Sequence, residues 1–149
     1  ASREKVLELG VSQISGGSRT SVGGYVREEG EEENSAQFDV SDRRTLDEVV
    51  AWLLDLGYIP SFCTACYRAG RTGDRFMSLL KAGQIANCCH PNALITLKEY
   101  LQDYASPATR RKGLRQIERE LDAVPDDRVR ETARRFLQAI EKGERDFRF

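Results

Sequence analysis

The chain has 149 residues, 40% of them apolar and 32% charged, and a net charge of −1. That balance suits one soluble globular domain and excludes a strongly basic nucleic-acid surface. No apolar run approaches the ~18 residues of a membrane span. Ser2–Leu9 is too charged for a secretory leader, and four cysteines in this composition suit a reducing cytoplasm with a metal site.

In chain order, Ala1–Leu9 reads as the end of a helix, with Gly10 as its stop. Val11–Ser15 is a short strand candidate, followed by Gly16-Gly-Ser-Arg-Thr20. Helix, strand and glycine-rich loop make one repeat of a (β/α) barrel, whose loops after the strands build the active site. Ser18 and Arg19 in this loop could hold the carboxylate of a substrate or cofactor. A plain turn with a solvated arginine explains them more simply. Five of the six residues Glu28–Glu33 are glutamate, a solvated loop. Gln37–Val40 is a further short extended candidate.

Thr45-Leu-Asp-Glu48 is a capping box. Leu46, Val49, Val50, Leu53 and Leu54 recur after it at helical spacing, and Gly57 ends the helix. Tyr58–Phe62 is the next strand candidate, irregular because of Pro60. Thr72 and Asp74 start a helix with Phe76, Leu79 and Leu80 on its apolar face and Gly83 at its end. Met77, the only methionine, reads as core rather than as a ligand. Asn92 is a cap candidate for a helix faced by Ala93, Leu94, Leu97, Tyr100 and Leu101. Ser106-Pro107 starts another, with Leu114, Ile117 and Leu121 inward. Pro125-Asp-Asp starts the last, with Val129, Ala133, Phe136, Leu137 and Ile140 inward. The tail carries Phe147 and Phe149, which either dock on the core or frame a partner contact.

The densest chemistry lies between these helices. Three cysteines fall in the pattern Cys63-x2-Cys66-x22-Cys89, Cys88 adjoins the third, and His90 is the only histidine. Every cysteine and histidine therefore lies in one window from Cys63 to His90. A C-x2-C pair on a turn points two sulfurs at one centre, and a third thiolate brought back by the intervening segment closes the site. Three thiolates suit a [4Fe–4S] cluster with one iron left open. Those three with Cys88 or His90 suit tetrahedral zinc instead. Spacing alone does not separate the two, and four buried cysteines packing as small apolar side chains is the plain alternative. A Cys63–Cys66 redox loop ranks below these, because it leaves Cys88 and Cys89 unexplained. Arg68, Arg71 and Arg75 follow Cys66; they either offset the charge of an anionic centre or form a solvated helix start. Backbone N–H groups at the start of the helix after Cys89 could donate to a cluster's sulfides.

The stretch PSFCTACYRAGRTGDRFM, with Cys89-x-PNALITLKEYLQDYA after it, resembles the C-terminal region of the radical-SAM tyrosine lyases. The cysteine triplet favours the branch that matures [FeFe]-hydrogenase over the thiamine-pathway branch, which typically lacks it. GVSQISGGSRTSVGGY is similar to a late strand and loop of the radical-SAM barrel, and the resemblance runs from about Gly10 to the Glu144–Phe149 end. It implies an enzyme that cleaves tyrosine to p-cresol and a fragment that becomes carbon monoxide and cyanide. It further implies an auxiliary [4Fe–4S] cluster held by Cys63, Cys66 and Cys89. That cluster would carry an extra iron through a free cysteine and build an iron–carbonyl–cyanide unit for the hydrogenase. Cys88 stands outside the family's triplet, and His90 is expected at the surface or behind the ligands.

The C-x3-C-x2-C motif of the first radical-SAM cluster is absent from these residues. The expectation is therefore a C-terminal piece that does not cleave S-adenosylmethionine alone. Its partners would be the N-terminal barrel portion with its own [4Fe–4S] cluster and S-adenosylmethionine, the tyrosine substrate and the other hydrogenase maturation proteins, with no nucleic acid and no membrane. The expected fold is α/β: residues 1–62 closing a radical-SAM barrel, and 63–149 a mostly helical cluster domain. The alternative function is a zinc-stabilised structural or interaction domain without catalysis.

Overall fold

The structure, a computed structural model, describes residues 2–19 and 42–149. The acidic stretch Glu28–Glu33 and the extended candidate Gln37–Val40 lie outside the described residues. The chain divides into two compact units, Ala1–Val49 and Val50–Phe149.

In the first unit, helix α1 spans Ser2–Glu8, and Gly10 leaves it at a φ of 91°. Asp42 gathers the guanidiniums of Arg3 at 2.5 Å and Arg44 at 2.7 Å. Those hydrogen bonds, Arg44's first, hold its carboxyl well below the usual carboxylate range. Helix α2 (Leu46–Asp55) starts on the expected capping box. Glu48 Oε2 accepts from Thr45 N at 2.7 Å while Thr45 Oγ1 accepts from Glu48 N at 3.3 Å, so each satisfies a donor the helix start leaves open.

Gly16 and Gly17 bring the backbone close to the start of α2. A Cβ on Gly17, whose φ is 66°, would sit 3.1 Å from Leu46 N. Only a residue without a side chain fits that approach at that φ.

The second unit is built around helix α5 (His90–Asp103). Leu94, Ile95, Leu97 and Leu101 are each at most 1% exposed, so α5 is buried on more than one face. Around it pack α6 (Pro107–Asp122) and α7 (Asp127–Glu141), with Ile117, Leu121, Val124, Ala133 and Leu137 joining one core with Val50 and Leu54 of α2. Both helix starts follow their sequence signals. Ser106 Oγ accepts from Thr109 N with Pro107 in the first turn, and Asp126 Oδ1 accepts from Arg128 N and Val129 N. Gly113 of α6 is where α5 comes closest: a Cβ there would meet Leu101 Cδ1 at 2.4 Å.

Three shorter pieces precede α5. They are α3 (Ala65–Arg68), α4 (Gly73–Lys81) and a π-helical turn, Ile85–Cys89, that runs directly into α5. Helix α4 has no fully buried residue, and Met77, expected in the core, is 46% exposed. No helix among the described residues is long and apolar enough to cross a membrane.

The α/β expectation is corrected for the described residues, which contain no strand. Neither Val11–Ser15 nor Tyr58–Phe62 pairs as a strand, and the described residues show no barrel segment over 1–62. A strand exists through its ladder of backbone bonds. In Tyr58–Phe62 the donors go elsewhere. Tyr58 N donates to Leu53 O at the end of α2, Pro60 has no N–H, and Phe62 N donates to Thr96 Oγ1 at 3.1 Å. The segment lies along α5, with the rings of Phe62 and Tyr100 stacked at 4.9 Å.

Candidate metal centre

The segment Tyr58–Phe62, fastened to Thr96, delivers Cys63 just before α3. Cys63 Sγ accepts from Ala65 N at 3.5 Å, which sets the thiol at the mouth of that helical turn. Cys66 lies inside α3, and Cys88 and Cys89 close the π-turn. All four cysteines are free and partly buried. Cys66, Cys88 and Cys89 line one cavity of about 250 Å³. Cys63 does not line it, but with Cys66 it is close enough to act electrostatically on both Cys88 and Cys89. The folded chain thus sets Cys66, Cys88 and Cys89 at one cavity, with Cys63 nearby but outside its lining.

Burial pushes both the Cys88 and Cys89 thiols up from their ordinary range, and the charges of Cys63 and Cys66 add to this at both. The charge of Arg71 opposes the shift at both. Most of the remaining lining is apolar, Phe76, Leu79 and Leu80 from α4, Ile85 and the tail residue Phe149, with Gln84 and Asn87 as its polar members. So α4, barely anchored in the core, serves as a wall of this cavity.

The three arginines after Cys66 separate. Arg68 forks onto Asp146 of the tail at 2.5 and 3.0 Å. Arg75 is exposed on α4. Arg71 lines the cavity. It is placed there by the turn that ends α3, where Gly70 at a φ of 61° returns the chain so that Arg71 N donates to Cys66 O at 2.8 Å.

His90 is not among the lining residues; its Nε2 lies 3.2 Å from Glu120 Oε2 on α6. Asn92, expected to cap α5, is buried and does something else. Its Oδ1 accepts from Phe149 N at 2.9 Å, and its Nδ2 lies 3.7 Å from Cys88 Sγ as a donor. The expected supply of open backbone donors at the start of α5 is also corrected. The π-turn spends them, with Cys88 N on Gln84 O and His90 N on Ile85 O. Ser18 and Arg19 lie in the first unit, the serine half-buried and the arginine exposed.

Sequence reasoning missed Asn87 and left the docking of Phe149 open. The tail does dock: Phe136 of α7 stacks on Phe147 at 4.5 Å and meets Phe149 at 5.6 Å. The aromatic tail was legible as a feature, but its place depended on α5 and α7 meeting.

Three thiols from two separated segments, at one half-enclosed cavity with a cation beside them, fit a thiolate-bound group with acidic sulfur or oxygen atoms facing Arg71. Among the described residues no three His, Cys, Asp or Glu side chains are gathered tightly enough for a single ion. A multi-iron group asks less of the spacing, since each thiolate binds its own iron.

No protein-family model matches the chain, and no curated protein matches it either. Among solved structures, the chain superposes on the crystal structure of HydG, a maturase of the [FeFe]-hydrogenase, with a TM-score of 0.89 and 50% identity. The match takes in 99% of this chain.

The chain is similar to the C-terminal region of HydG.

It spans 31% of the length of that HydG chain. At this identity and TM-score the helical arrangement around α5 is shared with HydG.

Proposed function

We propose that this chain is the auxiliary-cluster domain of a radical-SAM tyrosine lyase acting in [FeFe]-hydrogenase maturation. Cys63, Cys66 and Cys89 are the ligands of its [4Fe–4S] cluster. The observation that carries the reading is the joint one. Cys66 and Cys89 of the triplet line one cavity with Cys63 close by, on a chain 50% identical to HydG in a match covering 99% of its length.

A bound cluster would supply one iron that Cys63, Cys66 and Cys89 leave unligated, the position for an external cysteine–iron unit in a reaction that makes carbon monoxide and cyanide from tyrosine. The chain's own residues prepare that position. Tyr58–Phe62 and the α3 turn hold Cys63 and Cys66 at fixed separation, and the π-turn returns Cys89 on the end of the most buried helix. Phe76, Leu79, Leu80 and Phe149 wall the cavity and limit water access. Arg71 offsets the negative charge that three thiolates bring. Cleavage of S-adenosylmethionine and of tyrosine belongs to a barrel with its own cluster, which these residues do not supply, and the whole would work in the cytoplasm.

The zinc reading is less well supported. It asks His90 to leave Glu120, or four sulfurs to close onto one ion.

The test is iron and acid-labile sulfide after anaerobic reconstitution, on wild type and on the Cys63→Ala, Cys66→Ala, Cys89→Ala triple variant. About four iron and four sulfide in the wild type alone is expected. About one zinc and no iron would replace this reading with a structural metal domain.

A further inference from the structure

Two buried polar side-chain atoms among the described residues have no hydrogen-bond partner, Arg71 Nε and Asn87 Oδ1. Both residues line the thiol cavity. A buried polar atom left without a partner is costly, so an unpaired donor and an unpaired acceptor at one place call for an occupant. Arg71 Nε–H is fixed as a donor, because a guanidinium accepts nothing. Its backbone is tied to Cys66, and its charge acts on Cys88 and Cys89. Asn87 is ambivalent: a half-turn of its amide exchanges Oδ1 for the Nδ2 donor in the same space. An occupant rich in acceptors therefore satisfies both side chains. An occupant of sulfide and thiolate sulfur has acceptors only.

We infer that Arg71 is the positioning residue of this centre, donating its Nε–H to a sulfur of the bound group, with Asn87 turning its amide to donate beside it. The inference rests on the cluster reading above. It departs from the general expectation of a basic neighbourhood, since Arg68 is committed to Asp146 and Arg75 faces solvent. It also replaces the backbone donors that the π-turn has spent on itself. Donation to cluster sulfur stabilises the more negative, reduced state, so Arg71 raises the reduction potential. Lysine keeps the charge but not the fork, and glutamine keeps neither.

The test is a spectroscopically monitored redox titration of the reconstituted chain, in wild type, Arg71→Lys, Arg71→Gln and Arg68→Gln, with iron content and far-UV circular dichroism on each. Expected is a downward shift of potential in Arg71→Gln, a smaller one in Arg71→Lys, and a potential near wild type in Arg68→Gln. Asn87→Ala adds a further downward shift of its own. If Arg71→Gln folds but loads less iron while Arg68→Gln loads fully, the positioning role is supported through occupancy instead. If Arg71→Gln does not fold, Arg71→Lys carries the same comparison. Full loading with an unmoved potential in both Arg71 variants overturns the inference and leaves the cluster reading standing. A wild type that takes up no cluster removes both.

Discussion

Lys98 is 5% exposed on α5, and its ammonium lies 2.6 Å from Glu141 Oε1 at the end of α7. The hydrogen bond from Lys98 holds the Glu141 carboxyl below its ordinary value. A carboxyl held low in the folded state stabilises it above the unfolded pKa, and that contribution is lost as pH falls through the folded one. Glu141→Gln is expected to lower stability at neutral pH by about 1–2 kcal/mol, because it leaves a buried ammonium without its anion. It should also flatten the acid limb of the stability profile. Lys98→Met, which removes the buried charge itself, should cost less. Urea denaturation between pH 3 and 7 measures all three. Neither residue's role was visible in the sequence, where Lys98 interrupts an apolar face for no local reason.

At the scale of elements, α5 and α6 meet at Gly113. In isolation a glycine to alanine change in a helix gains ~1 kcal/mol. Here the new Cβ would fall 2.4–3.1 Å from the Leu101 side chain, which is 1% exposed and has nowhere to go. Overpacking of this kind costs ~1–3 kcal/mol. Gly113→Ala is therefore expected to lower the unfolding midpoint, the opposite of its effect in a lone helix. A midpoint that rises would mean that α5 and α6 stand further apart. The helix ends themselves were legible. The Thr45–Glu48 box and the Ser106 and Asp126 caps act through side chains within a few residues of their targets, and the glycine stops act through their own positive φ. Asn92 was misread for the same reason: its local pattern says cap, while its partners, Phe149 and Cys88, come from other segments.

At the scale of the molecule, the tail joins the cysteine loop to the bundle. Arg145 forks onto Asp103 at the end of α5, Asp146 takes Arg68 from α3, and Phe147 stacks on Phe136 while Phe149 meets it at a tilt. Removing the platform should be felt at the thiols. Phe136→Ala is expected to cost about 2 kcal/mol, less than a fully buried phenylalanine. It should also speed alkylation of Cys88 in the metal-free protein, because Phe149 walls that side of the cavity. A destabilised variant with unchanged Cys88 reactivity would mean the tail packs without guarding the site.

What the sequence determined by itself is local. It contains the longer helices from Thr45 onward, most of their starts and stops, and a cysteine triplet whose spacing suits a thiolate centre, because periodicity, caps and motif spacing act over a few residues. Only the tertiary structure decided that Tyr58–Phe62 gives its donors to α2 and α5 rather than to a strand. It alone turned Arg71 rather than Arg68 or Arg75 toward the thiols, put His90 on Glu120 and brought Phe149 to the cavity wall. Each of these depends on which distant group competes for a donor, a charge or an apolar face, and that competition is settled only when the helices pack.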